Sequence, residues 1–247
     1  MADVKKIAVY GDSLALPRKG IVNYNERYLF LIEQWLKNNY DIEYFEIKDR
    51  ATGGVTVTEL LKKYEHDVGY YDLPADIVVF QTGVVDCAPR PVNDVTRGKI
   101  DRLPNWIKKM VVKYLHNNRS KILESGKFYV KTSKELFHTN IKKLLTKAVV
   151  DYKNVYIINI CPTNKKTENH SPGFSNKINE YNRVIFEVIK ELNKANLHLI
   201  DIHSYINNRY VDIDKFMVAE DGHHITSFTH KVIADMIIEH EANLIKL

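Results

Sequence analysis

Five short runs of aliphatic and β-branched residues recur along the chain, each followed by a turn and then by a stretch of helical periodicity. The runs are Lys5 to Tyr10, Asp41 to Ile47, Asp76 to Phe80, Val155 to Ile160 and Leu197 to Ile202. KKIAVY stops at Gly11, and DIVVF is continuously apolar, as strands are when both faces of a sheet are covered. Between and after them, apolar residues return at helical spacing over Tyr24 to Asn39, where Glu26, Arg27, Glu33 and Lys37 lie between the apolar positions, and over Thr56 to His66, Ser133 to Val150, Ser175 to Lys194 and Ser227 to Leu244. Strands that alternate with helices predict one five-stranded parallel sheet with helices on both faces, a three-layer, flavodoxin-like α/β fold.

After Gln81 the rhythm breaks for about fifty residues. The segment 87–132 holds a proline-rich stretch, CAPRPV, and a helix over Asn105 to Asn117 whose Trp106, Ile107, Met110, Val111, Tyr114 and Leu115 are expected to form one buried stripe. It lacks strands, so it reads as a helical insertion within a single domain spanning 1–247. It is also where the charge lies. The whole chain carries 36 Lys and Arg against 31 Asp and Glu, a net +5, yet from Arg97 to Lys134 eleven basic residues face Asp101 and Glu124, a local +9. Such a block attracts phosphate, carboxylated glycans or anionic lipid headgroups, or else is a solvated helix face.

Other classes are excluded. No apolar run approaches the roughly 20 residues that span a bilayer, and the apolar stretch after the N-terminus is too short for a signal peptide, so a cytoplasmic protein is expected. Two cysteines, Cys87 and Cys161, are too few for a disulfide framework and read as small packed hydrophobes. The first turn has one glycine where a dinucleotide fingerprint needs three, and no phosphate-binding GxxxxGK[ST] occurs.

In an open parallel sheet, ligands bind beyond the carboxyl ends of the strands. The turns there read Gly11-Asp12-Ser13-Leu14, Ala51-Thr52-Gly53-Gly54 and Gly83-Val84-Val85-Asp86, with Asp221-Gly222-His223-His224 before the last helix. They supply a hydroxyl, glycine backbone donors, and a carboxylate three residues before a histidine, the parts of acyl transfer. The four blocks, in this order, resemble those of the SGNH/GDSL hydrolases from Gly11 to His224. The resemblance implies Ser13 as nucleophile, His224 as general base in preference to the adjacent His223, Asp221 as the acid that orients it, and the N–H groups of Ser13 and Gly54 as the oxyanion hole. Activity is then expected to rise with pH through a value near that of free histidine.

The departure is in the third block, where the family reads Gly-x-Asn-Asp and this chain has Val85. Valine cannot donate to an oxyanion; Arg90 is the expected replacement. The stretch GVVDCAPR also resembles a subgroup linked to bacterial surface-polysaccharide clusters. Asp12 and Asp86 are read as turn residues without a chemical step, Asp86 facing the substrate. Arg18 and Arg90, each after a proline, are expected either to clamp an anionic substrate or to form structural ion pairs. The reading is a serine esterase acting on an O-acylated, acetylated carbohydrate. Its rivals are an acyltransferase to a sugar hydroxyl and a non-catalytic glycan- or partner-binding module. No metal, organic cofactor or nucleic-acid partner is expected, and the oligomeric state is open.

Overall fold

The central strands are short and apolar on both sides, and the middle of the sheet they build is buried on both sides. The computed structural model describes residues 4–39, 44–71, 75–208 and 212–245. Its strands are β1 (Val4–Gly11), β2 (Tyr44–Asp49), β3 (Ile77–Gln81), β4 (Asn154–Ile158) and β5 (Leu197–Ile200). All pair in parallel, in the order β2-β1-β3-β4-β5. Ile7 and Val9, Ile77 to Phe80, and Val155 to Ile158 are at most 3% exposed. The winding direction reverses between β1 and β3, which opens a crevice at the carboxyl end of the sheet.

Helices α1 (Tyr28–Asn39), α2 (Val57–Tyr71), α3 (Val84–Cys87), α4 (Asp94–Asp101), α5 (Asn105–Asn117) and α6 (Arg119–Glu124) precede β4, as does α7 (Lys134–Asp151). The chain continues through α8 (Lys165–His170), α9 (Phe174–Leu192), α10 (Ile202–Asn207) and α11 (Ser227–Ile245). The N-terminal and C-terminal helices α1 and α11 pack together, while α7 packs against both α2 and α9. None of the described helices is long and apolar enough to cross a membrane.

Several expected boundaries move, for local reasons. Residues 41–43 of the expected second strand lie outside the described residues, and its described part runs on to Asp49. The helix expected from Tyr24 starts as a 3-10 turn, Tyr24–Glu26, before α1. The fifth strand stops at Ile200 because the Asp201 carboxylate caps α10, accepting from the Ser204 N–H. Asn193, in the left-handed conformation, ends α9 ahead of Lys194.

Two corrections bear on the site. The stripe expected to be buried on α5 splits: Trp106, Met110 and Tyr114 are 64–66% exposed, and no α5 residue is fully buried. The six residues cover about half of the helix circumference, and α5, which packs chiefly on α4 and α6, has no sheet face to cover. Arg27, which the periodicity placed on the polar side of its helix, is 1% exposed. Its Nε donates to the Ala15 carbonyl at 2.6 Å and its Nη1 to Asp49 at 2.6 Å, joining the turn after β1 to the end of β2.

That link should be measurable. Arg27→Ala leaves the Asp49 carboxylate and the Ala15 carbonyl without their donor, and a buried acceptor so orphaned costs about 1–3 kcal/mol. Urea denaturation is expected to show a loss of at least about 2 kcal/mol; an unchanged midpoint would contradict the role given to this arginine.

Candidate active site

Three turns meet at the carboxyl end of β1. Gly11 leads into Asp12, whose carboxylate caps the 3-10 turn Ser13–Ala15 by accepting the Leu14 N–H at 2.9 Å. Backbone bonds dock the neighbouring turns on this strand: Asp12 N–H to the Gln81 carbonyl at 3.1 Å, and Thr52 N–H to the Gly11 carbonyl at 2.9 Å. Asp12 is fully buried with one carboxylate oxygen unpartnered, and burial lifts its pKa to about 7. Its place as a turn former matches the expectation.

The Asp221 to His224 turn arrives from the other end of the chain. Gly222 has a φ of +61°, and a Cβ there would fall 1.8 Å from the Asn164 side-chain oxygen, so only glycine lets this turn close. The Asn164 N–H bonds the Gly222 carbonyl at 3.0 Å, and the Thr167 hydroxyl bonds the Asp221 carbonyl at 2.6 Å. Asn164 and Thr167 belong to no motif of the sequence reading.

Across this junction His224 Nε2 lies 3.0 Å from Ser13 Oγ, and His224 Nδ1 lies 3.0 Å from the Asp221 carboxylate. The other Asp221 oxygen accepts the backbone N–H groups of His223 and His224 at 3.2 and 3.0 Å. These donors hold the Asp221 carboxyl below its ordinary range against its partial burial. Burial, then His223 and Arg18, push His224 down to about 4 against the pull of Asp221. The imidazole is therefore neutral, and able to accept a proton, across the whole neutral range. His223 points its Nδ1 at the Asp221 carbonyl, 3.0 Å away, and does not reach the serine by any hydrogen bond.

Gly54, at φ +76°, lines the same cavity as Ser13. Neither the Ser13 nor the Gly54 N–H donates to a turn, loop or cap acceptor among the described residues. Val85 also lines this cavity and offers only a side chain of carbon. Arg90, the expected substitute donor, lines the same cavity, with its backbone paired to Tyr129 and its guanidinium 4.0 Å from Asp94.

Of the two readings of Arg18, the ion pair is the one seen: its guanidinium pairs with the Asp221 carboxylate. The expectation for Asp86 needs correction. Asp86 does not face a substrate. It is wholly buried, accepts the Val57 N–H at 3.1 Å and the Thr132 hydroxyl, and thereby anchors the start of α2 behind Gly54. Burial raises its pKa to about 6. Cys87 and Cys161 are free, buried thiols whose pKa values burial drives up, that of Cys161 to about 12, which suits packing and not nucleophilic attack.

A cation is poorly served here. Asp221, His223 and His224 bring ligand atoms within 4.8 Å of one another, but the carboxylate is already filled by four donors, one of them the Arg18 guanidinium, whose charge opposes a metal.

No family model and no curated protein matches this chain. Solved structures do. A lipase/acylhydrolase from Enterococcus faecalis superposes with a TM-score of 0.64 at 17% identity, over 96% of this chain and 94% of its own. An acetylxylan esterase from Geobacillus stearothermophilus gives 0.62 at 13% identity, over 96% and 94%. The fold is that of esterases and acylhydrolases. An alpha/beta hydrolase from the metagenome of Lake Arreo, Spain, at TM-score 0.61, 15% identity and 97% and 95% coverage, is similar in the same way.

The depressed His224 sets a pH prediction that replaces the one made from free histidine. If this imidazole accepts the proton, kcat/KM for an uncharged ester is flat from pH 6 to 8 and falls below, with a midpoint near 4. Arg18⁺ disfavours the imidazolium, so Arg18→Ala moves that midpoint upward and slows neutral and anionic esters alike. A midpoint at 6.5 that Arg18→Ala leaves in place would contradict the electrostatics described.

Proposed function

We propose that the protein is a serine esterase that removes an acyl group, acetyl in the simplest case, from an O-acylated carbohydrate. The observation that carries the reading is the continuous hydrogen-bond path from Ser13 Oγ through His224 to Asp221. Ser13 attacks the ester carbonyl while His224 Nε2 takes its proton. Asp221 holds the Nδ1–H tautomer and steadies the imidazolium that forms. The N–H groups of Ser13 and Gly54 receive the oxyanion of the tetrahedral intermediate. Collapse returns the proton from His224 to the departing sugar hydroxyl and leaves an acyl-serine. Water, deprotonated by the same histidine, then releases the carboxylic acid and restores Ser13.

Two features support a carbohydrate substrate. The cavity beside Ser13 has a volume of about 1020 Å³, far more than an acetyl group needs and enough for a saccharide. One solved structure of the same fold is described as an acetylxylan esterase. Transfer of the acyl group to a second sugar would use the same serine and histidine, and differs only in what attacks the acyl-serine.

Ser13→Ala and His224→Ala are expected to lower kcat on 4-nitrophenyl acetate by at least about 10⁴-fold with little change in melting temperature. Rates equal to the parent would sink the proposal. Release of acetate from acetylated xylo-oligosaccharide, against transfer to added sugar, separates hydrolase from transferase. A hole with two backbone donors also leaves room for improvement at the departure from the family. Val85→Asn restores an amide there and should raise kcat by up to roughly 10²-fold; no gain would mean that Arg90 or another group already serves.

A further inference from the structure

The basic segment after β3 is more than a charged surface. Its α5 and α6 wall the large cavity, bringing His116 and Arg119 to it, while the loop after α3 brings Arg90 and α8 brings Lys166 and His170. What sets these groups apart is the shortage of counter-charge. Other cations on this wall are matched: Arg97 pairs with Asp101 at 3.3 Å and Lys131 with Glu59 at 3.6 Å. Arg119 pairs with no carboxylate among the described residues, and Arg90 has only Asp94 at the limit of ion-pair distance.

Arg119 is nonetheless held in place. Its Nε donates to Ser171 Oγ at 2.8 Å and its Nη2 to the Pro89 carbonyl, neutral acceptors that fix the plane of the guanidinium without cancelling its charge. Nη1 is left without a protein acceptor among the described residues, on a side chain that lines the cavity. Burial and the neighbouring Arg90 both lower the pKa of Arg119, the signature of a cation that lacks a partner. Beside it the His116 and His170 rings stand 5.0 Å apart, and burial, Arg119 and His116 hold the His170 imidazole below its ordinary range. An imidazole carries at least one N–H whatever its charge, so the wall offers two guanidiniums and two ring donors around one space.

We propose that Arg90, Arg119, His116 and His170 form a subsite for a phosphoryl group carried by the substrate, so that the ester to be cleaved sits on a phosphorylated sugar. This rests on the esterase reading for its meaning, though the binding itself does not require a working serine. A phosphoryl group fits better than a carboxylate on counting grounds. A carboxylate saturates one guanidinium fork and carries one charge, whereas a phosphate monoester presents three terminal oxygens and about two charges to the Arg90 fork, the Arg119 Nη1 and the ring donors together. Arg18, committed to Asp221, has no part in it.

The test uses Ser13→Ala, which cannot turn over, and inorganic phosphate as the probe, titrated by calorimetry at fixed ionic strength with acetate as the comparator. Phosphate is expected to bind with 1:1 stoichiometry and at least ten times more tightly than acetate. Adding Arg119→Gln should weaken phosphate at least tenfold, Arg90→Gln severalfold, and Arg119→Lys, which keeps the charge but loses the planar guanidinium that Ser171 and Pro89 hold in place, by an intermediate factor. Melting temperature identifies any variant that fails to fold, and Arg90→Gln, whose side chain makes only the long contact to Asp94, then carries the test. Absence of saturable phosphate binding, equal affinity for acetate, or affinity unmoved by the folded arginine variants would overturn the proposal. Failure of the esterase reading would appear separately, as lack of serine-dependent turnover with phosphate binding intact.

Discussion

Pairing of β1 on both of its edges is the constraint on which the site depends. Because β2 and β3 flank the same strand in parallel register, the turns that leave all three emerge side by side, and each is tied to the next by a backbone bond: Thr52 to Gly11, and Asp12 to Gln81. That arrangement puts the Ser13 hydroxyl and the Gly54 N–H on one rim before any side chain contributes. Arg27 and Asp86 then brace the rim from within the protein, one through Ala15 and Asp49, the other through Val57 and Thr132. Both are buried charged groups, costly in themselves and retained where they hold the site in register.

The last turn is built by different means. Asp221 lies far from β1 in sequence and beside the turn after it in space, and its carboxylate collects two backbone donors, an imidazole and a guanidinium. Burial above all keeps His224 neutral, and its neighbours His223 and Arg18 act in the same direction against the pull of Asp221. An imidazole placed in this way can accept a proton at neutral pH and loses that form only in acid. Beyond it, the cavity wall gathers positive charge for a purpose other than the chemical step, and the segment that interrupts the alternation of strands and helices supplies most of it.

Much of this was legible in the chain itself, for physical reasons. Strands covered on both faces must be continuously apolar, so DIVVF and its counterparts announced a parallel sheet, and a sheet of that kind has its site beyond the strand ends. Ser13, Gly54, Asp221 and His224 stood in those turns. The failures share another cause. A helical stripe such as Trp106, Met110 and Tyr114 is visible as a period, but the period does not say whether anything lies opposite. Arg27 was misread because a long cationic side chain can bury its stem and end on a carboxylate. Arg119, His116 and His170 come from three elements with no shared motif, and Arg18 meets Asp221 across 203 residues, so only the folded chain brings them together. Asp86 could have served either face of its turn; its partners decide it.

The central claim is that Ser13 is a nucleophile activated by His224, and covalent labelling measures this without knowledge of the natural substrate. Incubation with a serine-directed fluorophosphonate, followed by mass mapping of the peptides, is expected to give one adduct per chain, on Ser13. In His224→Ala the labelling rate should fall at least about 10²-fold, because the hydroxyl loses its base. No adduct, an adduct at another residue, or a labelling rate indifferent to His224 would contradict the account.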